Sequence, residues 1–280
     1  TLVPGNSNSG IVFKRTDLEK DNEIVANFKN VSSAKLCTKI ENNHGVSVST
    51  IEHLLAAFYV CGIDNIIVNL NGPEVPIMDG SAKEFVKIIN EVGLKTLEGK
   101  RKFVRVKKSV ELKKEDGRSI SVKPSSQTFD VKFTLNYKKN PLIKTQINKI
   151  NFAEKNLEDI VVARTFCLYE DIEMIKSMGL AKGGSLDNAI VVKGENILNP
   201  DGLRNTKEFV NHKILDCIGD LFTSGYRMIA SVNCSQGGHY MTNSLLRKVF
   251  ENKDNFSIIE IQERTLPHTL INRSLLRSIA

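Results

Sequence analysis

The stretch EFVNHKILDCIGDLF, residues 208 to 222, decides how the rest of the chain is read. Phe209, Val210, Ile214, Leu215 and Ile218 recur at the spacing of one apolar helix face, which predicts a buried helix. Beside that face, His212, Asp216 and Asp220 stand at strict four-residue intervals. Residues four apart on a helix lie almost above one another, so the three form a single polar row. Either the row is solvated, or it holds something.

Downstream, YRMIASVNC reads as a strand, SQGGH as a glycine loop and MTNSLLRKVFE as a final long helix. The first half carries the same order: a helix in STIEHLLAAFYVCG closed by Gly62, a short strand DNIIVNL, a turn NGPEVPIMDG and a helix from about Ser81 to Val92. The repeated order points to duplication, and two α+β domains, each a sheet with helices packed on one face, fit it. The polar, glycine-punctuated segment GLKTLEGKRK, residues 93 to 102, places the boundary, giving domains 1–100 and 101–280. Strands are expected at IVFKR, EIVANF and KLCTKI in the first, and at KFVRVKKSVELK, SISVKP and TFDVKFTLNY in the second. YEDIEMIKSMG reads as a helix, KGGS as a turn and NAIVV as a strand.

Composition narrows the class. The 280 residues are 41% hydrophobic and 25% charged, as in a soluble globular protein. No run approaches the roughly 18 apolar residues that span a bilayer. The first residues lack the charged and apolar regions of a signal peptide, so a cytoplasmic protein without stable membrane insertion is expected. The opening TLVP reads as the end of a strand, which implies a preceding N-terminal strand segment. Five cysteines, Cys37, Cys61, Cys167, Cys217 and Cys234, are odd in number and form no C-x-x-C pair; reduced thiols fit better than disulfides or a thiolate zinc site. The net charge of +7 suits an anionic substrate or membrane surface. The lysines are scattered without interleaved aromatics, which argues against nucleic acid as a partner.

Three of the five histidines stand in patterned places. His53 follows Glu52 in the first turn of an apolar helix, His212 precedes Asp216 by four, and His239 follows Gly237 and Gly238. A zinc site of catalytic type needs three nitrogen or oxygen ligands and one open position. His212 and Asp216 can supply two from one helix face, with His53 or His239 as the third. Alone, an H-x-x-x-D pair is a weak signal and more often a satisfied core or surface contact. Glu52 with Ser49 matches the S-x-x-E capping box, as does Glu84 with Ser81, and such a glutamate simply satisfies backbone donors. Its chemical reading is a base that takes a proton from an attacking water. The Gly-Gly-His loop is either a plain turn or a device that brings an imidazole to a substrate, and Asp220 is either exposed or orients that imidazole. ARTF, residues 163 to 166, puts the Thr165 hydroxyl beside a cation and an aromatic ring; an oxyanion donor is one use of it, and four residues do not establish it.

Four blocks taken together are specific: STIEHLLAAFYVCGIDNIIVNLNGPEVPIMDGSAKEFV, ARTFCLYEDIEMIKSMGLAKGGSLDNAIVV, LRNTKEFVNHKILDCIGDLF and GGHYMTNSLLRKVF. In this order the chain resembles the UDP-3-O-acyl-N-acetylglucosamine deacetylases, zinc amidases of bacterial lipid A synthesis. The resemblance implies two similar domains, each a sheet layered on two helices, with the active site in the cleft between them. It implies zinc on His53, His212 and Asp216, and Glu52 as general base. His239 becomes the acid that protonates the leaving amine, with Asp220 orienting it and Thr165 holding the oxyanion. Phe166 and Lys213 become substrate contacts. A β-α-β insert at about 167–192 becomes an apolar passage for the acyl chain, lined by Ile172, Ala181, Ser185, Ala189 and Val191. The implied reaction on the UDP-linked acylated glucosamine releases acetate, and a monomer is expected. Gln236 departs from the lysine many relatives carry, which touches one contact to the nucleotide end. The rival readings are a metal-dependent amidase for another acylated sugar, and a nucleotide-sugar binding protein without turnover.

Overall fold

A computed structural model describes residues 1–126, 128–152 and 157–262; His268 lies outside the described residues. The described residues form six α-helices: α1 Glu52–Cys61, α2 Lys83–Val92, α3 Glu158–Val161, α4 Ile172–Ser177, α5 Glu208–Phe222 and α6 His239–Glu251. A four-stranded sheet runs in the order Leu2–Pro4, Ile66–Leu70, Ile11–Arg15, Glu23–Val25. A seven-stranded sheet centres on Arg227–Ser235. That strand pairs parallel with Phe129–Tyr137 and Arg101–Val106 and antiparallel with Ser119–Lys123. Its run Arg227–Ala230 is continuously buried, as expected for a strand covered on both faces. Among the described residues, the four-stranded sheet draws only on positions before 71 and the seven-stranded one only on positions after 100. The protein is α+β.

Helices join the two sheets' halves. All ten residues of α1 are buried, the condition of a helix apolar almost all round. It packs against α2 on one side and crosses α5 on the other, while α5 also lies on Phe129–Tyr137 and α6 on Ser119–Lys123. The crossing is close because α5 presents Gly219: a Cβ there would collide with the backbone carbonyl of Glu52. At the other end of α1, Gly62 takes the left-handed conformation at φ 77°. Arg227 Nη1 donates to the Tyr59 carbonyl at 2.8 Å and Arg101 Nη2 to that of Gly62 at 2.8 Å, while both guanidinium groups share Asp64. The repeated helix, strand, helix order is present, and α2 starts as far after α1 as α6 does after α5.

Several local expectations change. Neither capping box forms: α1 and α2 begin after Ile51 and Ala82 without a side-chain cap. The Glu52 carboxylate instead accepts from the backbone N–H of Thr38 at 3.0 Å. Ser81 accepts from Lys83 N and donates to Asp79, which leaves Glu84 outside the turn. The strand expected through 102–113 breaks into Arg101–Val106 and Val110–Lys113, because the N–H groups of Lys107 and Lys108 turn to the Asn255 carbonyl. The helix expected at 169–179 is a 3₁₀ turn, Tyr169–Asp171, followed by the short α4. KLCTKI contributes only its end to a strand, Lys39–Glu41.

Gly219→Ala forces α1 and α5 apart against a backbone atom that cannot rotate away. The expected loss is about 3 kcal/mol, the upper end of ordinary overpacking, read as a lower urea midpoint with an unchanged m-value.

Candidate metal centre

The crossing of α1 and α5 brings together residues far apart in sequence. His53, at the start of α1, and His212, in α5, present their rings edge to face with centroids 4.9 Å apart. Both Nε2 atoms lie 3.3 Å from one oxygen, Asp216 Oδ1. The ligand atoms of these three buried residues all fall within 4.8 Å of one another, so they can close on a single ion. The second nitrogen of His212 is held by the Ala163 carbonyl at 3.1 Å, which fixes the ring with Nε2 forward. Lys213 Nζ donates to Asp216 Oδ2 at 2.6 Å, leaving Oδ1 free.

Donor chemistry supports a metal here. Asp216 Oδ1 is buried without a hydrogen-bond partner although two imidazole nitrogens face it, and His53 Nδ1 is also unpartnered. Such groups cost free energy unless something satisfies them, and an ion among three ligand atoms satisfies Oδ1 directly. Burial pulls His212 down to about 3 despite the neighbouring carboxylate, so the ring is neutral and its lone pair is available. Burial opposes the charged form of Asp216, yet the imidazoles that face it and the Lys213 ammonium at 2.6 Å hold the group well below the usual carboxylate range. A neutral His212 imidazole and an ionised Asp216 carboxylate are the protonation states a divalent ion requires of those two groups.

Next to this group sits a second one. His239 opens α6 and is not in the glycine loop, because the helix begins two residues earlier than the apolar pattern indicates. Its Nδ1 is 2.8 Å from Asp220 Oδ2, and its Nε2 is 4.0 Å from Glu52 Oε1. Burial lowers the affinity of His239 for its proton, but Asp220, by charge and hydrogen bond, and then Glu52 and Asp216 raise it to about 10. Glu52 is pushed up by burial against the opposing pull of His239 and His53. Asp220 is thus buried and paired, the third position of the polar row after the two ligands.

The remaining predicted residues fall at different distances from this centre. Phe166 packs with its ring 6.4 Å from His212 and 5.0 Å from Phe209. Thr165 lies two residues beyond the Ala163 carbonyl, with its own N–H on the Gly80 carbonyl at 2.8 Å. Phe166–Leu168 and Ile190–Lys193 pair in parallel around α4, giving the β-α-β arrangement. Within it Val191 is buried, Ile172 and Ala189 are half-buried, and Ala181 and Ser185 are exposed. Ser185 Oγ accepts from the Asp187 N–H in its own turn. The Gln236 side chain accepts from the Asn136 N–H and donates back to the Asn136 carbonyl, so this residue continues the pairing of Arg227–Ser235 with Phe129–Tyr137 by one step. Sequence reasoning missed Thr38, Gly219 and the Ala163 carbonyl. Only Gly219 left a signal, as a glycine inside a helical pattern.

A buried two-histidine, one-carboxylate group beside an independent carboxylate and a cationic imidazole defines a metal-dependent hydrolase. The family model described as UDP-3-O-acyl N-acetylglycosamine deacetylase matches residues 1–251, and the chain belongs to this family. It is 40% identical over 267 residues to the UDP-3-O-acyl-N-acetylglucosamine deacetylase of Haemophilus ducreyi, covering 94% of this chain and 86% of that one. It is 41% identical over 261 residues to the enzyme of the same name from Citrifermentans bemidjiense, covering 93% and 84%. The corresponding figures for Wigglesworthia glossinidia brevipalpis are 40% over 276 residues, 97% and 91%.

His212→Ala is expected to abolish metal retention after dialysis, measured by elemental analysis beside the parent protein. The raised His239 value also predicts a pH signature. A histidine raised from 6.5 to about 10 adds stability that is complete below its unfolded value and is lost as pH rises through its folded one. In chelator, the stability difference between the parent and Asp220→Asn should therefore shrink from pH 7 to 10.5, measured by urea denaturation.

Proposed function

We propose that the protein is a zinc-dependent deacetylase that hydrolyses the N-acetyl amide of UDP-3-O-acyl-N-acetylglucosamine, releasing acetate early in lipid A synthesis. The observation that carries this reading is the buried His53, His212 and Asp216 group beside Glu52, in a chain about 40% identical over nearly its whole length to deacetylases of that name. His53 Nε2, His212 Nε2 and Asp216 Oδ1 would hold the zinc. When bound it supplies a Lewis acid that polarises a carbonyl and lowers the pKa of water toward about 7.

Protein groups do the rest. Glu52 takes the proton of the attacking water on Oε1, since Oε2 is engaged by the Thr38 N–H. The C–O bond forms as that proton leaves. His239, kept cationic by Asp220 on Nδ1, gives its Nε2 proton to the amide nitrogen as the C–N bond breaks. Thr165 donates its hydroxyl to the oxygen that carries the developing negative charge. Phe166 and Lys213 touch the sugar-nucleotide. Ile172, Ala181, Ser185, Ala189 and Val191 line the acyl passage in the insert, where the parallel strands around α4 give a suitable scaffold. The same reading takes 1–100 and 101–280 as two domains with the site in the cleft between them, supported by the separation of the two sheets. It also takes the protein as a cytoplasmic monomer; no helix among the described residues is long and apolar enough to cross a membrane.

The test is zinc analysis paired with acetate release from the UDP-linked acyl sugar at several acyl lengths. About one zinc per chain is expected, together with acetate release. Glu52→Ala should keep the zinc and lose about 100-fold or more in kcat. Full turnover by zinc-free His212→Ala would overturn the assignment, and turnover only of a sugar without the nucleotide would favour the rival amidase reading.

A further inference from the structure

The oxygen of Asp220 that His239 does not use is also engaged, and by a residue outside the polar row. Thr38 Oγ1 donates to Asp220 Oδ1 at 2.6 Å, while the Thr38 N–H donates to Glu52 Oε2 at 3.0 Å. The residue is 2% exposed, so no water competes for either bond. Thr38 and Asp220 are 182 positions apart in sequence. The Thr38 carbonyl in turn accepts from the Ile51 N–H at 3.4 Å, at the residue that precedes α1. One residue of the first half therefore touches both the proposed base and the carboxylate that carries the proposed acid.

We propose that Thr38 is a positioning residue for this reaction: its hydroxyl locks Asp220 so that Oδ2 meets His239 Nδ1, while its amide holds Glu52 with Oε1 toward the reacting centre. The proposal rests on the deacetylase reading above. A carboxylate only accepts hydrogen bonds, so the orientation of Asp220 is set by its donors, here one from each side. Threonine suits the task because two heavy atoms on Cβ restrict χ1, and the hydroxyl is aimed with little freedom to lose. Removing the hydroxyl leaves Asp220 Oδ1 buried without a donor, and the carboxylate can then turn away from the imidazole. The amide arm to Glu52 is untouched by a side-chain change, so substitution reads the Asp220 arm alone.

The experiment uses zinc-loaded parent, Thr38→Val, Thr38→Ser, His239→Ala and the Thr38→Val/His239→Ala double variant. Thr38→Val should lower kcat by about 10- to 100-fold, the range for loss of an outer-shell partner, with KM and zinc content held. Thr38→Ser should recover most of the loss. The double variant should be no slower than His239→Ala, since Thr38 acts through that imidazole. The His239 Nδ1–H proton resonance, read by NMR without substrate, should shift or vanish in Thr38→Val and stay in Thr38→Ser. An unchanged resonance or unchanged kcat in Thr38→Val overturns the proposal, as does a kcat loss that multiplies fully with His239→Ala. If the valine variant does not fold, Thr38→Ala carries the same comparison. A parent protein that releases no acetate while the resonance still responds to Thr38→Val would defeat the deacetylase reading and leave the positioning of His239 standing.

Discussion

The close crossing of α1 over α5 is the constraint on which the rest depends. Two helices normally keep their backbones apart by the thickness of their side chains, about 8 to 10 Å between axes. Here Gly219 removes the side chain where α5 meets the Glu52 carbonyl. That contact sets the spacing between His53 on one helix and His212 and Asp216 on the other, where the ligand atoms agree to within a few ångströms. The opposite end of α1 is tied down independently. Its last residues are buried, and Arg227 supplies donors from the second half to the Tyr59 and Phe58 carbonyls while stacking over Tyr59 at 4.6 Å. A cation there also suits the negative end of the helix dipole. With both ends attached to the second half, α1 can neither slide nor tilt without breaking buried polar bonds.

Helix ends also distribute charge. Glu52 stands in the first turn of α1, where the dipole favours a carboxylate and opposes the burial that raises its proton affinity. His239 is the first residue of α6, where the dipole disfavours a cation. Its proton is kept against both dipole and burial, by Asp220 first through charge and hydrogen bond and then by Glu52 and Asp216. The arrangement therefore depends on Asp220 being aimed at His239 Nδ1, which it meets at 2.8 Å.

Periodicity made the polar row on α5 legible, since His212, Asp216 and Asp220 fall on one helix face and the structure gives all three a partner or a ligand position. The repeated helix, strand, helix order was legible for the same reason: local patterns report local structure. What sequence could not give were pairings across the chain. Glu52 looked like a cap because Ser49 lies three residues before it, yet its real partner is the amide of Thr38, in a stretch that reads as a strand. His239 looked like a loop residue because two glycines precede it, although Gly238 in extended conformation simply starts the helix there. In both cases a local rule was overridden by a contact that only the folded chain creates.

Charge balance then explains why so many ionisable groups tolerate one buried site. With Glu52 ionised, three carboxylates, Glu52, Asp216 and Asp220, face one ammonium, Lys213, and one imidazolium, His239. The protein alone is left with a single excess negative charge in a place that excludes water. A divalent ion held by His53, His212 and Asp216 would reverse this to a single excess positive charge, so the surrounding residues favour such an ion. A site positive by one unit is also what a negatively charged tetrahedral oxygen needs. Lys213 keeps that count low: by holding Asp216 Oδ2 at 2.6 Å it neutralises the carboxylate from behind and would leave one oxygen, Oδ1, for an ion. Without that ammonium the protein alone would hold two excess negative charges, the ion would leave no excess positive charge to meet the oxyanion, and Asp216 could offer both oxygens.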